Sequence, residues 1–402
     1  MTAPAAPPAP RAPLWLLALI TFSGTLAMHM FVPALPLAAI GLGAEAGPMQ
    51  LTISVYIFGL AVGQLAYGPF SDRFGRRPVL MVGLCLYTIS GLVAAFAPTV
   101  QALIAARLFQ ALGGCAGLVL GRAMVRDGAR PADAARRLAL MNLMVTAGPG
   151  LAPLIGAALA NLAGWRSIFV FLCALGVTNF LFAWRLLPET GGPAASHSAA
   201  AVARNYGRLF ASPAFLGFSL GGGCATTAMF AFIGAAPFIF IDQLHRPAPE
   251  VGLYIAVTVC GVWLGSLVAS RLAGRVAMNR MLVRGNLLSL FGAVLFLVSV
   301  LSGHLTVPTT IGSVLLFTLG AGVAAPSALA QALSINPHVI GSASGVYGFI
   351  QMAVGAVSAA LASIGNNPAL ASAIVLTAAG VVAQASFWVA IRARRSGISG
   401  LS

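Results

Sequence analysis

The chain has 402 residues, of which 59% are hydrophobic and 7% charged, and its mean hydropathy is +0.96. An ordinary soluble domain has about 25% charged residues, so this composition excludes a water-soluble envelope and predicts a protein of the lipid bilayer. The formal net charge is +15, from 22 basic residues, all of them Arg, and seven acidic ones. Because Lys is absent, the chain has neither a Walker-type phosphate loop nor a Schiff-base amine.

The Arg residues stand in short runs between apolar stretches, a pattern that disfavours a nucleic-acid-binding face. The five Cys are isolated from one another and from His, so the sequence predicts no metal site and no cofactor. Residues 1–13 contain five Pro and are predicted to be a disordered cytoplasmic tail. A cleavable signal peptide is the disfavoured alternative, because no clear small-residue cleavage site follows the first apolar run.

Apolar runs of about 20 residues, the length that crosses a bilayer as a helix, recur along the chain. Charged or Pro/Gly-rich clusters separate them. The sequence predicts twelve such spans, at 14–36, 49–70, 79–97, 99–121, 138–161, 167–187, 214–240, 251–270, 283–302, 307–333, 341–364 and 369–391.

The Arg distribution predicts the orientation of these spans. With an even number of spans both termini lie on one side, and 19 of the 22 Arg belong to the tails and the loops of that side. Arg166 and Arg246 lie in the opposite loops, and Arg107 lies inside the fourth span. The positive-inside rule therefore predicts cytoplasmic termini.

The chain divides into two halves of similar build. A linker at 188–213, rich in Ala, Ser, Gly and Arg, is predicted to be a mobile cytoplasmic connection between a six-helix first half (14–187) and a six-helix second half (214–391), followed by a tail at 392–402. The sequence GPFSDRFGRR at 68–77 recurs faintly as GSLVASRLAGR at 265–275, in the corresponding loops. Repeated halves are typical of secondary transporters, whose binding site lies between them.

The loop after the second span contains two Gly, one Asp and three Arg, which suit a tight turn and ion pairs at a helix end. A generic positive loop is the alternative interpretation. The pattern resembles motif A of the major facilitator superfamily, and the resemblance implies a cytoplasmic gate formed by Gly68, Asp72, Arg73, Gly75, Arg76 and Arg77.

Arg107 and Gln110 lie on one face of the fourth span. A charge at this depth costs about 2.5–3.5 kcal/mol on insertion scales, so Arg107 is expected to face a partner or a cavity. Snorkelling to the surface is the alternative, but the end of the span is ~12 Å away. The run RLFQALGG resembles motif B of the same superfamily, whose Arg is associated with proton coupling.

The fifth span reads AGPGLAPLIGAAL, in which Pro bends the helix and small residues admit a close neighbour. It resembles motif C, found in the antiporters of the superfamily, although the full motif has more glycines. Helix packing alone is the alternative. The matching residues are Gly148, Pro149, Pro153 and Gly156.

Further stretches, spread in order over the chain, resemble the bicyclomycin and chloramphenicol resistance (Bcr/CflA) family of drug exporters. That resemblance implies an all-α membrane protein of the major facilitator fold, with twelve helices in two six-helix bundles and export of drugs in exchange for protons across the bacterial inner membrane. The stretches are FVPALP at 31–36, GWRSIF at 164–169, FAFIGAAPFIF at 230–240 and GSASGVYGFIQMAVGA at 341–356.

Many members of that family carry an acidic residue where this chain has His29. No acidic residue falls inside a predicted span: Glu45, Asp242 and Glu250 fall in periplasmic loops, and Asp72, Asp127, Asp133 and Glu189 in cytoplasmic ones. His also titrates near neutral pH, so we predict that His29 and Arg107, ~10 and ~12 Å from the outer ends of their spans, share a layer where proton and substrate compete. A neutral, hydrogen-bonded His in helix packing is the alternative.

Polar and aromatic residues of several spans are predicted to line a central substrate cavity, with simple helix-to-helix hydrogen bonding as the alternative. They are Tyr56, Gln64, Gln110, Asn142, Asn179, Thr226, Thr227, Phe230, Phe238, Tyr347 and Gln351. Without an intramembrane carboxylate, neutral, zwitterionic or anionic drugs of the amphenicol kind are favoured over lipophilic cations.

A monomeric drug/proton antiporter is the favoured interpretation of the sequence. A facilitator or importer of a small metabolite is the alternative. An enzyme is disfavoured because the other His are scattered near loops.

Overall fold

The computed structural model describes residues 12–127, 137–138, 140–141, 148–190, 199–335 and 340–395. This part of the chain is helical and contains no β-strand. In chain order the helices are α1 (Leu14–Met30), α2 (Leu35–Leu42), α3 (Ala46–Phe74), α4 (Arg76–Ala95), α5 (Val100–Asp127), α6 (Gly148–Ala163), α7 (Arg166–Leu186), α8 (Ala199–Ala211), α9 (Pro213–Thr227), α10 (Met229–Phe238), α11 (Ala248–Leu272), α12 (Met278–Leu301), α13 (Val307–Leu333), α14 (Ile340–Ala362) and α15 (Pro368–Arg395).

Eleven helical segments of the described residues are long and apolar enough to cross a membrane. Two of them join consecutive helices: α1 with α2, and α9 with α10. Helix α6 is apolar but has only 16 described residues, because the predicted span 138–161 starts among residues that the structure leaves out. The protein is therefore a multi-pass membrane protein.

Several helices run past the predicted span limits. Helix α3 continues to Phe74 and α5 to Asp127, so Asp72 and Asp127 lie in final helical turns rather than in loops. Asp242 likewise lies in a π-helical turn, Ile239–Gln243, and Glu250 in the first turn of α11. The predicted limits were too short because hydropathy marks the apolar core of a bilayer, whereas a helix continues into the polar interface.

The first membrane segment is broken between α1 and α2 by a 3₁₀ turn, Val32–Ala34. Pro33 and Pro36 account for the break, because proline lacks an N–H and clashes with the preceding helical turn. The break lies inside a segment that ends at Leu42 rather than at residue 36. His29 is consequently about 20 Å of helix from the end of the segment at Leu42, farther than the predicted ~10 Å.

Helices of each half pack mainly on one another, and the two most extensive contacts between the halves are those of α3 with α14 and of α6 with α11. The first pair is in close contact at two levels, since a Cβ at Gly47 would lie 3.1 Å from the carbonyl oxygen of Ser363 and one at Gly348 would lie 2.7 Å from Oε1 of Gln64. In the second pair, a Cβ at Gly252 would lie 2.8 Å from the carbonyl oxygen of Pro153. Glycines therefore allow the close approach of helices from the two halves in both pairs.

The segment predicted to be a mobile linker contains helix α8. Its Leu209 is buried, whereas Arg204 and Arg208 are exposed, so the helix is amphipathic. Tyr206 Oη donates a hydrogen bond of 3.3 Å to the carbonyl oxygen of Leu65 in α3, and α8 also contacts α9 and α14. The described part of the connection therefore touches both halves.

Candidate functional site

Arg107 is the largest fully buried side chain of the described residues. Its Nη1 donates to the carbonyl oxygen of Ala27 in α1 at 2.9 Å and to Oε1 of Gln110, one turn along α5, at 2.8 Å. Its Nε and Nη2 have no hydrogen-bond partner in the described part of the protein. Arg107 thus ties α5 to the end of α1 and does not snorkel.

Three aromatic rings surround the Arg107 guanidinium. Its Cζ lies 4.0 Å from the ring centroid of Tyr56, 5.7 Å from that of Phe31 and 5.8 Å from that of Phe169. Tyr56 is held in place by a 2.9 Å hydrogen bond from its hydroxyl to the carbonyl oxygen of Gly24. Cation–π attraction offsets part of the cost of burying the charge.

His29 lies two residues beyond Ala27, in the last turn of α1. Its Nδ1 is 3.0 Å from the carbonyl oxygen of Thr25. Because a carbonyl only accepts, Nδ1 carries the hydrogen, and Nε2 is the free acceptor of the neutral ring. Nε2 is buried without a hydrogen-bond partner among the described residues, and the ring lies 6.1 Å from the ring of Phe230 in α10. His29 therefore sits where the first half meets the second.

Predicted cavity residues of the second half bind one another. Nε2 of Gln351 donates to Oγ1 of Thr226 at 2.9 Å, and the hydroxyl of Thr227 donates to the carbonyl oxygen of Gln351 at 2.6 Å. These bonds join α9 to α14. In this structure these residues form the helix-to-helix hydrogen bonds of the alternative interpretation.

The remaining predicted cavity residues are dispersed. Gln64 lies at the α3–α14 contact beside Gly348, and Phe238 and Tyr347 are buried. Asn179 of α7 is fully buried, and neither polar atom of its side chain has a partner among the described residues. Asn142 lies outside the described residues.

Two apolar grooves lie on the outside of the helix assembly. One, of 410 Å³, runs along α3 and α4 beside Tyr67 and Phe70. The other, of 790 Å³, lies between α9, α14 and α15 beside Cys224 and Ser358. Neither is lined by a predicted cavity residue, because in this conformation those residues are packed between helices.

The motif at 68–77 forms an ion-pair network within the first half. Arg76 contacts Asp72 at 2.7 Å through Nη1 and Asp127 at 3.1 Å through Nε. The carboxylate of Glu189 accepts hydrogen bonds from the backbone N–H groups of Arg76 and Arg77, at 2.9 and 3.1 Å. The sequence analysis did not identify Asp127 and Glu189 as partners of this motif. Their position as rare acidic residues in strongly basic segments could have indicated that they form ion pairs.

The other motif residues at this junction are placed differently. Arg73 is exposed, with its Cζ 5.2 Å from the ring centroid of Phe74, and Gly68 has open space around it. Gly75 has φ +91°, a conformation that L-residues avoid. A Cβ there would also lie 2.7 Å from Oε2 of Glu189.

The motif in the fifth predicted span packs α6 against two neighbours. Gly156 lies directly on the backbone of Met30, at the break after α1, and Gly148 lies beside Phe22. Pro153, inside α6, presents its carbonyl oxygen to Gly252 of α11. The small residues and the prolines thus place α6 between His29's helix and the second half.

A family model described as Major Facilitator Superfamily matches residues 17–360. The chain belongs to this family. It is therefore a membrane transporter for small molecules and not an enzyme.

Among curated relatives, this superfamily member is 28% identical over 350 residues to the multidrug transporter MdfA of Yersinia pestis, covering 87% of this chain and 85% of that one. It is 29% identical to multidrug resistance protein D of Escherichia coli, covering 87% of this chain and 88% of that one. The crystal structure of a D-xylose–proton symporter superposes with a TM-score of 0.79 at 14% identity, over 93% of this chain and 96% of that one, and shows a common fold.

Proposed function

We propose that the protein is a secondary active transporter that exports small hydrophobic or amphiphilic drugs, amphenicol- or bicyclomycin-like, by drug/proton antiport with alternating access. In this proposal it is a monomer of the bacterial inner membrane, with twelve helices in two six-helix bundles and cytoplasmic termini. The observation that carries the proposal is a buried His at the meeting of the halves, two residues from the backbone oxygen that binds a buried Arg.

His29 is the proposed proton carrier. Its free Nε2 is the atom that takes the proton, while Nδ1 stays bound to Thr25. A proton on Nε2 places a second positive charge near Arg107, and like charges repel strongly where water is excluded. Proton and substrate then alternate: a bound substrate expels the proton, and the proton returns after the substrate leaves.

Drug export is supported by the names of two relatives, both multidrug transporters, and by the Bcr/CflA-like stretches at 31–36 and 341–356. Among the described helices, acidic residues lie only at helix ends, so no carboxylate beside His29 holds a cationic drug. This favours neutral, zwitterionic or anionic compounds.

Alternating access is supported by the contacts between the halves. Helices α3 and α14, and α6 and α11, slide or part when one face opens, and the network around Arg76 keeps the ends of α3, α4 and α5 together as they move. In this proposal the motif at 68–77 is the cytoplasmic gate, and Gly148, Pro149, Pro153 and Gly156 form the close contact on which α6 moves.

The test uses the full chain in proteoliposomes, with radiolabelled chloramphenicol as the probe and an imposed pH gradient. Wild-type protein is expected to drive uphill chloramphenicol movement that collapses with the gradient. His29→Ala is expected to abolish uphill movement but to retain downhill exchange, because the substrate pathway is intact. Arg284→Gln, an exposed position, serves as the control. Gradient-driven transport that survives unchanged in His29→Ala would contradict the proposal.

A facilitator or importer of a small metabolite is the second candidate, favoured by the lack of a carboxylate within the described spans. It predicts equal equilibration with and without the gradient. A complementary assay in cells lacking their own pumps compares drug susceptibility with wild type and Arg107→Ala. Export predicts that only the wild type protects the cells.

A further inference from the structure

Arg107 is a buried cation that uses one of its three nitrogens. The two hydrogens of Nη1 are donated to the carbonyl oxygen of Ala27 and to Oε1 of Gln110, whereas Nε and Nη2 have no hydrogen-bond partner in the described structure. Burying an unpaired charge costs several kcal/mol, so such groups are normally neutralised by an opposite charge.

The acidic residues of the described helices do not supply that charge. Asp72 and Asp127 pair with Arg76, and Glu250 pairs with Arg246. Asp242 lies in the π-helical turn at the end of its membrane segment. Arg107 forms no ion pair with any carboxylate in the part of the chain that the structure describes.

The unused N–H groups lie on one edge of the guanidinium. The hydrogen of Nε and one hydrogen of Nη2 point in the same direction, which is the fork that binds a carboxylate through two parallel hydrogen bonds. The ring of Tyr56 covers one flat face of the guanidinium, with its centroid 4.0 Å from Cζ, and therefore does not cover the edge formed by Nε and Nη2. The amide nitrogen of Gln110 is also buried without a partner, so unused donors remain on both members of the Arg107–Gln110 pair.

We propose that Arg107 binds a small monovalent anion through Nε and Nη2. The anion has two possible sources, a halide from solution or the carboxylate of the transported compound. The halide source is independent of the function proposed above, whereas the carboxylate source rests on it. Because Arg107 is fully buried in this structure, the anion reaches it only when the helices around it move apart.

The experiment measures Tm of the purified full-length protein in detergent, with no proton gradient and no transport. Sodium bromide or sodium benzoate is titrated against sodium sulfate at matched ionic strength. The expected result is a saturable rise in Tm of about 2–4 °C for wild type. Arg107→Gln removes the fork and should abolish the rise, while Arg284→Gln, which changes an exposed Arg, should keep it.

The two probes separate the sources. A response to bromide indicates a resident halide, and a response to benzoate alone indicates a carboxylate site. Arg107→Lys keeps the charge but loses the fork, so it should weaken benzoate binding at least about tenfold even if Arg107→Gln does not fold. The proposal is overturned if neither anion raises Tm, or if the rise persists unchanged in both Arg107 variants. A negative result in the export assay would not affect this Tm measurement, because the measurement involves no transport.

Discussion

Two loops with related sequences, 68–77 and 265–275, connect corresponding helices in the two halves. Both turn through a glycine with positive φ, +91° at Gly75 and +80° at Gly274. In the first loop Asp72 pairs with Arg76, whereas in the second the hydroxyl of Ser270 bonds back to the carbonyl oxygen of Leu267 in its own helix. The turn is shared, but among the described residues the ion-pair network forms at the first of these two turns and not at the second.

The difference shows what a few acidic residues do in a basic protein. Arg76 is largely buried because Asp72 and Asp127 lie beside it. Arg271 and Arg275 have no acidic neighbour in the described structure and are exposed. Arg271 and Arg275 therefore join no helices through ion pairs in the described structure, whereas Arg76 joins α4 to α3 and α5.

The largest expected contrast comes from replacing the two turn glycines by Ala. Gly75→Ala combines backbone strain with a clash against Glu189 and should cost about 3 kcal/mol of unfolding free energy. Gly274→Ala has open space and should cost about 1 kcal/mol, from strain alone. Equilibrium unfolding in mixed micelles measures both. Equal costs would show that Glu189 moves aside.

The next contrast compares Arg76→Gln with Arg275→Gln. Arg76→Gln leaves two carboxylates without their cation and should cost about 2 kcal/mol, because the largely buried pair with Asp127 is broken while Asp72 is half exposed. Arg275→Gln is expected to change stability by less than about 0.5 kcal/mol. Similar values for both, measured by the same unfolding assay, would contradict the assigned network.

A smaller effect is expected for Glu189→Gln. The amide keeps one acceptor oxygen, so one of the two hydrogen bonds from the backbone of Arg76 and Arg77 is lost. The expected cost is about 1 kcal/mol. A cost above that of Arg76→Gln would place the centre of the network at Glu189.

The smallest effect is expected for Ser270→Asp, which introduces an acid into the second loop. Arg275 lies beyond the end of α11 and is exposed, and an acid near a helix C-terminus opposes the helix dipole. Stability should change by less than about 0.5 kcal/mol. A gain above 1 kcal/mol in the unfolding assay would show that an acid alone is enough to build the network.

The sequence predicted the membrane class and much of the helix order, because each described span carries its own apolar signal. It also singled out Arg107 as a charge that faces a partner or a cavity rather than lipid. It missed the depth of His29, since hydropathy does not show that the apolar segment continues through the prolines to Leu42. The pairing of Thr226 with Gln351 was also hidden, because it joins residues 125 positions apart.

The sequence by itself determined that this chain lies in a bilayer and, through its motifs, which family it resembles. Composition and local motifs give this information because they do not depend on tertiary contacts. Only the tertiary structure decided which partners the rare charges have. Asp127 and Glu189 reach Arg76 because α4 begins where α5 and α7 end, and Arg107 keeps an unpaired edge because no described acid packs beside it. Such contacts depend on how distant segments meet, which local sequence does not specify.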